Sequence, residues 1–281
     1  MRVSYVNLNG RLEIETKALV PTENRAFRYG DALFETMLWT NGTIRLVDYH
    51  VDRLQQSLNS LHIEGGSKFN REFLIKSAKE LIDKNDWTST NCRLRLQVYR
   101  GGAGLYSPVS NQAEYVLSGT PILEESSQLE SKTGLIVDLF TDHYKPASSL
   151  SMLKSTNSLV FVLAGLYRKR KGLDEVIILN QEGLICESLS SNIFISYDQK
   201  LYTPALSEGC VAGVMRRKTL EIAQDLDIEI VEAKIDPQIL KDADEVFLTN
   251  AIRGIQWVMG YQQKRYFKRW SKTLQQALNT Q

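Results

Sequence analysis

The chain has 281 residues, of which 43% are hydrophobic and 24% are charged, and its formal net charge is +1. This composition is typical of one large or two modest globular domains and argues against a disordered chain. A nearly neutral protein lacks the field that attracts nucleic acid or an anionic membrane, so we expect neither partner. The longest apolar stretch, 159–167, is far shorter than the roughly 20 residues of a membrane-spanning helix. Because the N-terminus lacks a signal-peptide hydrophobic region, we expect a cytoplasmic protein.

Metal and disulfide frameworks are disfavoured by the cysteine and histidine positions. Cys92, Cys186 and Cys210 are an odd number without C-x-x-C spacing, and the three histidines do not cluster at ligand spacing. Such a pattern argues against a zinc site and against a disulfide framework. We therefore predict no metal.

The N-terminal part predicts a mixture of strands and helices. Asn41-Gly42 is a strong hairpin signal between strands at 33–39 and 43–47. Asp48 is predicted to cap the helix that follows. The other predicted elements are a strand at 11–15 after the turn Asn9-Gly10, a helix around 73–81, and strands at 93–99 and 114–117.

A polar stretch without periodicity, about 124–132, predicts a domain linker. We expect a small N-terminal α/β domain at 1–121, a linker at 122–132, and a larger C-terminal domain at 133–281. The C-terminal domain contains Lys154, a candidate for Schiff-base chemistry that is discussed below.

The C-terminal part predicts more strands than helices. One predicted helix places Leu159, Val162, Leu163 and Leu166 on a single face and ends at a basic stretch before Gly172. The other predicted elements are a helix at 214–225 and strands at 134–139, 176–179, 184–187, 192–196, 228–231 and 246–249. Because strands and helices do not alternate regularly, the order does not indicate a Rossmann sheet.

Several motifs of nucleotide-binding proteins and hydrolases are absent, including G-x-G-x-x-G after a strand, the P-loop and G-x-S-x-G. Lys154 is predicted to open an apolar helix, where desolvation would free its amine for Schiff-base chemistry. On spacing alone, a solvated lysine in the first helical turn is the more common interpretation.

Three further positions have both a functional and an ordinary interpretation. Glu187 ends a strand beside small polar residues, which is compatible with a polar pocket or with a surface acid. The start of a helix at 213–216 offers backbone N–H groups to an anion, as any helix start does. Arg53 lies off the apolar stripe of its helix, a position usual for a surface arginine.

Taken in order, these segments resemble the class IV aminotransferases, the fold-type IV enzymes that use pyridoxal 5'-phosphate. The resemblance covers about 29–258, most of the chain, and no single block is specific, whereas six in order are. The blocks are Tyr29-Gly30-Asp31-Ala32-Leu33-Phe34-Glu35-Thr36, 50–54, Lys154-Ser155-Thr156-Asn157, Glu187 with Ser191-Asn192-Ile193-Phe194, 213–216 and 245–255.

The resemblance implies roles for the charged residues of these blocks. Lys154 matches the lysine that binds the cofactor as a Schiff base and shuttles the proton. Glu187 matches the acid that pairs with the pyridine nitrogen and keeps the ring electron-withdrawing. Arg53 matches the arginine that binds the cofactor phosphate.

The same resemblance implies the remaining cofactor and substrate contacts. Val214 and Met215 match helix-start amides on the phosphate. Ala251 matches a phosphate contact where many relatives have Thr or Ser, so we expect a backbone N–H there, with Asn250 nearby. Tyr29 and Phe34 match residues that line the substrate pocket, although without the resemblance both would more often be core aromatics.

The candidate substrates divide the family into three kinds of enzyme: 4-amino-4-deoxychorismate lyases of folate biosynthesis, branched-chain aminotransferases and D-amino acid aminotransferases. Asn157 lies three residues after Lys154, as in the lyases and the D-amino acid enzymes, and Thr249-Asn250-Ala251 resembles the lyase pattern. The loop after Arg100 lacks both the Arg-x-His of D-amino acid enzymes and the Arg-Gly-Tyr of many lyases.

Arg95 is a candidate replacement that would bind a substrate carboxylate, and a surface strand arginine is its ordinary interpretation. We favour a lyase that releases pyruvate and 4-aminobenzoate over a branched-chain or D-amino acid aminotransferase. A non-catalytic binding protein of this fold would be expected to lose Lys154 or Glu187. No alternative nucleophile and base indicate a cofactor-independent enzyme.

The resemblance also implies the overall organisation. We expect a two-domain α/β protein of the D-amino acid aminotransferase-like type with the cofactor between the domains. We expect a homodimer that acts on a small-molecule substrate, in which the loop at 100–108 reaches the partner's site.

Overall fold

The computed structural model describes residues 4–18, 20–122 and 133–280. They form two compact units. The first contains the described residues up to 122 together with Lys154–Asn157, and the second contains 133–153 and 158–280. The predicted linker lies outside the described residues except for Ile122. The predicted domain boundaries stay a prediction, but the structure groups Lys154–Asn157 with the first unit rather than with the C-terminal residues around it.

The first unit is a six-stranded sheet with three helices. Its strands run in the order β2-β1-β6-β5-β3-β4, and each neighbouring pair is antiparallel. Its elements are β1 (Tyr5–Leu8), β2 (Arg11–Ile14), α1 (Arg25–Tyr29), β3 (Ala32–Thr40), β4 (Thr43–Ile44), α2 (Val47–Ser60), α3 (Arg71–Lys84), β5 (Cys92–Arg100) and β6 (Ala113–Pro121).

Both Asn-Gly turns in the first unit form as predicted. Asn9 and Gly10 have φ values of 51° and 91°, and Asn41 and Gly42 have 51° and 76°, which is the left-handed conformation that these residue types tolerate. The strand predicted at 43–47 is shorter, because β4 ends at Ile44.

The predicted Asp48 cap of α2 is wrong. Leu46 adopts a left-handed conformation and is the N-cap, so α2 begins at Val47 and Asp48 lies in its first turn. The Asp48 carboxylate forms an ion pair with Arg71 of α3 instead. Because Asp48 lies inside the first turn, it is not at the N-cap position, and its carboxylate binds Arg71 instead of a backbone N–H of α2.

The second unit is a nine-stranded mixed sheet with four helices. Its strands run in the order β12-β11-β10-β13-β14-β7-β8-β9, with β15 paired to β14. Its elements are β7 (Leu135–Lys145), α4 (Leu159–Lys171), β8 (Glu175–Asn180), β9 (Ile185–Ser188), β10 (Asn192–Tyr197), β11 (Lys200–Pro204), α5 (Val214–Asp225), β12 (Ile230–Ala233), α6 (Ile239–Asp242), β13 (Glu245–Asn250), β14 (Gly254–Tyr261), β15 (Lys264–Arg265) and α7 (Trp270–Asn279).

The central strands of the second unit are buried on both faces. Ile193 and Leu248 belong to one core cluster, whereas Phe194 and Phe247 stack with ring centroids 5.0 Å apart in a second cluster with α5 and α7. Strands covered on both sides read as continuous apolar runs rather than alternating ones, which is why the sequence located them well.

The sequence did not predict five elements of the second unit, namely β11, α6, β14, β15 and α7. Two predicted elements also differ in detail. Strand β7 continues to Lys145, six residues beyond its predicted end at 139. Helix α4 forms as predicted, but its face of four apolar residues is exposed, by 39% to 79%; these are Leu159, Val162, Leu163 and Leu166. The opposite side of α4, with the fully buried Ala164, packs on Phe140.

Candidate active site

Lys154 lies in an extended segment that pairs with β3, five residues before α4 begins. The N–H of Phe34 donates to the carbonyl of Lys154 at 2.8 Å, and the N–H of Thr156 donates to the carbonyl of Ala32 at 3.0 Å. The hydroxyl of Thr156 also donates to the carbonyl of Gly30 at 2.9 Å. These bonds use the edge of β3 that the short β4 leaves open, so the backbone of Lys154 is fixed by the sheet. The interpretation of Lys154 as a residue of the first helical turn is therefore wrong.

The ring of Phe34 lies close to two cations. The Lys154 Nζ is 4.5 Å from the ring centroid, and the guanidinium carbon of Arg95 on β5 is 3.8 Å from it. Burial, with a further contribution from the charge of Arg93, lowers the pKa of Arg95 from its ordinary value of 12.5. A half-buried aromatic ring with an amine and a guanidinium beside it is a suitable surface for an anionic molecule.

Tyr29, at the end of α1, is half-buried and contacts the loop at 100–108. Its ring lies 5.6 Å from that of Tyr106, and the guanidinium of Arg25 lies 5.1 Å from the Tyr29 ring. Arg25 also donates to the carbonyls of Gly104 and Leu105, at 3.1 and 2.5 Å. The loop is thereby tied to α1. Neither Tyr29 nor Phe34 is a fully buried core aromatic.

A buried carboxylate, Glu35, holds two basic side chains of α2. Glu35 is 1% exposed, and its Oε2 is 2.6 Å from Nδ1 of His50. Arg53 donates from Nε to Oε1 of Glu35 at 2.8 Å and also forms an ion pair with Oε2. The side chain of Arg53 is only 10% exposed, so the surface interpretation of this arginine is wrong.

The charges in this cluster stabilise the ionised form of Glu35. Burial alone raises the pKa of this carboxyl, but the charges of Arg53 and His50 and their hydrogen bonds outweigh it and lower the pKa to about 2. Burial lowers the pKa of His50, against the opposing effect of Glu35, and the charge of Lys154 contributes to the same lowering.

Glu187, on β9, is a buried carboxylate of the second unit. It is 4% exposed, its Oε1 is 2.5 Å from Nζ of Lys145, and its Oε2 accepts from the N–H of Val211 at 3.1 Å. Two donors hold the two oxygens from different sides. The interpretation of Glu187 as a surface acid is therefore wrong.

The start of α5 lies beside Asn192 of β10. Gly213 is the N-cap and offers no side-chain cap, so the first-turn amides of Val214 and Met215 have no intrahelical acceptor. A Cβ at Gly213 would lie 1.9 Å from Oδ1 of Asn192, which only glycine avoids. The amide Nδ2 of Asn192 donates to the carbonyl of Val211 at 2.8 Å.

Asn250 shapes the turn that follows β13. Its Oδ1 accepts from the N–H groups of Ile252 and Arg253 at 3.0 and 2.8 Å, and its Nδ2 donates to Oγ of Ser191 at 2.9 Å. Ala251 lies inside the turn that these bonds close.

Comparison with known proteins gives consistent matches over nearly the whole length. A sequence model described as "Amino-transferase class IV" matches residues 32–260. The chain belongs to the class IV aminotransferase family. It is 29% identical over 256 residues to an aminodeoxychorismate lyase of Bacillus subtilis, covering 89% of this chain and 84% of that one. It is 28% identical to a putative branched-chain-amino-acid aminotransferase of Methanocaldococcus jannaschii, covering 89% and 85%.

The fold comparison agrees with the family assignment. A crystal structure of a 4-amino-4-deoxychorismate lyase from Pseudomonas aeruginosa matches with a TM-score of 0.84 and 28% identity, and the match covers 98% of each chain. The predicted mixed α/β fold of fold-type IV is confirmed. Class IV aminotransferases depend on pyridoxal 5'-phosphate, so the predicted cofactor is confirmed at the level of the family.

The contacts of Glu35, Lys145 and Val211 with the candidate site residues were not predicted from the sequence. Glu35 carried a usable signal, because it lies between Leu33 and Met37 on the buried side of β3, where a carboxylate needs a partner. Lys145 and Val211 carried none, since their contacts with Glu187 depend on residues distant in the chain.

The described part of this class IV aminotransferase contains no group of three or more His, Cys, Asp or Glu placed to hold a metal. Its three cysteines are buried and unbridged. No helix among the described residues is long and apolar enough to cross a membrane. The cytoplasmic location stays a prediction.

Glu35 makes the stability of the protein depend on pH. Because its pKa falls from 4.5 to about 2 on folding, its contribution is complete above pH 4.5 and is lost as the pH falls towards 2. That shift corresponds to about 3 kcal/mol. At pH 6 we expect Glu35→Gln to have a smaller free energy of unfolding than the wild type, as measured by urea unfolding. As the pH falls from 4.5 to 2, this difference in free energy should shrink by about 3 kcal/mol.

The exposed ion pair of Asp48 with Arg71 supplies the control. Asp48→Asn is expected to change stability by less than about 1 kcal/mol at every pH. A gap for Glu35→Gln that does not vary with pH would show that Glu35 titrates alike in the folded and unfolded chain.

Proposed function

We propose that this chain is a pyridoxal 5'-phosphate enzyme that releases pyruvate and 4-aminobenzoate from 4-amino-4-deoxychorismate. When bound, the cofactor supplies an electron-withdrawing ring that stabilises negative charge on the substrate carbon. The main support for the lyase activity is the similarity over nearly the full length to aminodeoxychorismate lyases, at 29% and 28% identity.

The chain offers the donors that a phosphorylated pyridine aldehyde needs. Lys154 provides an amine for the aldehyde, and the buried carboxylate of Glu187 suits a protonated ring nitrogen. A phosphate suits Arg53 and the start of α5 at Val214 and Met215, because guanidinium groups and helix-start amides are typical phosphate ligands. The chemistry of this donor set fits the cofactor.

Each residue then has a distinct task. Lys154 attaches the cofactor and moves the substrate proton through its Nζ, while Glu187 retains the proton on the ring nitrogen. Glu35 keeps the guanidinium of Arg53 oriented through two of its nitrogen atoms. Asn250 contributes by closing the turn that carries Ala251, whose backbone we assign to the phosphate.

Tyr29, Phe34 and Arg95 are proposed to bind the substrate. The guanidinium of Arg95 lies over the same ring as Nζ of Lys154. A carboxylate bound by Arg95 would therefore bring its substrate against the Phe34 ring and close to the reacting amine. This placement serves a dicarboxylate such as aminodeoxychorismate.

The position of Asn157, three residues after Lys154, also favours the lyase. Its side chain lies against Gly30, where a Cβ would come within 2.6 Å of its Oδ1. The second candidate is a branched-chain or D-amino acid aminotransferase. The 28% identity to a putative branched-chain-amino-acid aminotransferase favours it.

A homodimer is the proposed assembly. The exposed apolar face of α4 (Leu159, Val162, Leu163 and Leu166) is an unusual surface for a monomer. The loop after Arg100 also exposes large apolar residues, with Leu105 at 72% and Tyr106 at 89%. A second copy would cover such surfaces.

Covalent attachment tests the role of Lys154. The purified protein is expected to be yellow, and borohydride reduction should fix the cofactor to Lys154, as located by peptide mass spectrometry. Lys154→Arg should abolish the label, whereas the exposed control Lys200→Arg should keep it. A label on a different lysine would refute the assignment.

Turnover with a single substrate separates a lyase from a transaminase. A lyase regenerates its lysine in each cycle, so we expect many turnovers of 4-aminobenzoate from aminodeoxychorismate without a 2-oxo acid. A transaminase stalls after one turnover under the same conditions. If 4-aminobenzoate does not form while leucine and 2-oxoglutarate react well, the branched-chain alternative is correct.

The same assay tests Arg95. Arg95→Ala removes a charged partner of a substrate carboxylate, so KM should rise by roughly ten- to hundred-fold. Arg93→Ala is the matched control, because Arg93 lies two residues away on the same strand face and is exposed. Equal effects of the two variants would remove the specific role of Arg95.

Sedimentation equilibrium tests the dimer. Leu166→Lys places a charge in the exposed α4 face and should shift the wild-type dimer towards monomer. Leu226→Lys, at another apolar residue that is 42% exposed, should leave the dimer intact. A monomeric wild type, or a dimer that tolerates Leu166→Lys, would contradict the assembly through this face.

A further inference from the structure

Lys145 is a buried lysine that the proposed catalytic roles do not use. It is the last residue of β7 and is 6% exposed. Its Nζ is 2.5 Å from Oε1 of Glu187 and donates to the carbonyl of Ser151 at 3.1 Å. A lysine with so little exposure is rare unless it is paired, so its position depends on the carboxylate that it meets.

The ammonium group of Lys145 is oriented by a tight turn. The hydroxyl of Ser151 donates to the carbonyl of Pro146 at 2.5 Å, and its N–H donates to the carbonyl of Ser148 at 2.9 Å. These two bonds close the turn that follows β7 and aim the carbonyl of Ser151 at Lys145. The hydrogen bond to the Ser151 carbonyl therefore orients the ammonium group of Lys145 independently of its contact with Glu187.

Glu187 is held in a frame of strands and one backbone donor. It pairs with Ile178 of β8, while Lys145 pairs with Asn180 of the same strand. The N–H of Val211 donates to Oε2 of Glu187 at 3.1 Å. With Lys145 on Oε1 and Val211 on Oε2, the plane of the carboxyl group is defined from both sides.

A carboxylate accepts about four hydrogen bonds, so these two donors leave acceptor capacity on Glu187. A buried carboxylate that loses its cationic partner is costly. The contacts of Lys145 with Oε1 and of the Val211 N–H with Oε2 therefore fix the carboxyl group in one orientation and leave it able to accept from a further donor.

We propose that Lys145 is a positioning residue that holds the Glu187 carboxylate in the orientation that suits the ring nitrogen of the cofactor. The inference rests on the proposed role of Glu187. In this role Lys145 acts through the carboxylate of Glu187, which it contacts directly. The preference of the protein for a cofactor with a ring nitrogen should therefore depend on Lys145.

The test compares two cofactors rather than two activities. One is pyridoxal 5'-phosphate, and the other is its carbocyclic analogue, in which a CH group replaces the ring nitrogen. Both have the same aldehyde and phosphate, so the ratio of their dissociation constants isolates the contact of the ring nitrogen. The ratio is measured for the wild type, Lys145→Met, Lys145→Arg and Glu187→Gln.

We expect the wild type to prefer pyridoxal 5'-phosphate and Lys145→Met to lose about tenfold of that preference, the equivalent of one weakened hydrogen-bonded contact. Lys145→Arg keeps the charge and should retain most of the preference. The control Lys200→Met removes a lysine from an exposed ion pair with Glu229 and should leave the ratio unchanged.

The double variant Lys145→Met with Glu187→Gln guards against misfolding, because it removes both partners of the buried pair and leaves no unpaired charge. Its ratio should equal that of Glu187→Gln alone. A different ratio, equal weakening of both cofactors in Lys145→Met, or an unchanged ratio there would each overturn the proposal. A wild type without preference would instead refute the role of Glu187, which separates the two failures.

Discussion

Backbone hydrogen bonds between Lys154–Asn157 and the open edge of β3 determine where the candidate catalytic lysine lies. The short β4 covers only the far end of β3, at Trp39 and Thr40, which leaves the edge at 32–34 available. The segment fills that edge much as an added strand would. Because Phe34 belongs to the same stretch, pairing also brings its ring close to the Lys154 amine. The guanidinium of Arg95, on the neighbouring strand β5, lies over the same Phe34 ring.

Each unit contains a buried carboxylate whose charge is compensated locally. In the first unit, Glu35 holds Arg53 and His50, and its pKa is lowered to about 2. In the second unit, Glu187 is held by Lys145 and by the N–H of Val211. Buried charges of this kind are tolerated only with a partner and satisfied hydrogen bonds, and they fix side chains to a degree that surface pairs do not. The proposed enzyme therefore relies on supporting residues as much as on those that would contact the cofactor.

The apolar face of helix α4 lies on the surface of the second unit and not in its core. The face that periodicity identified is exposed, whereas the opposite side, with Ala164, packs on the sheet. Helical spacing shows that residues share a face, but it contains no information about what covers that face. The proposed dimer is one physical answer to this exposure.

Local patterns in the sequence were sufficient for many of the elements and for the family. Asn9-Gly10 and Asn41-Gly42 determine their turns through residues that tolerate positive φ, and the strands buried on both faces are continuous apolar runs. The order of the blocks around Lys154 and Glu187 was enough to identify a class IV aminotransferase.

Only the tertiary structure decided which buried residues hold Glu187 and Arg53 in place. The contact between Lys145 and Glu187 joins positions 42 apart, and that between Glu35 and Arg53 joins positions 18 apart. The segment that contains Lys154 forms backbone hydrogen bonds with β3, which is more than 100 residues earlier in the chain. Contacts of this kind arise when strands align side by side, and no local periodicity encodes the alignment; the physical reason is that burial and hydrogen bonding act between residues that the chain itself does not place together.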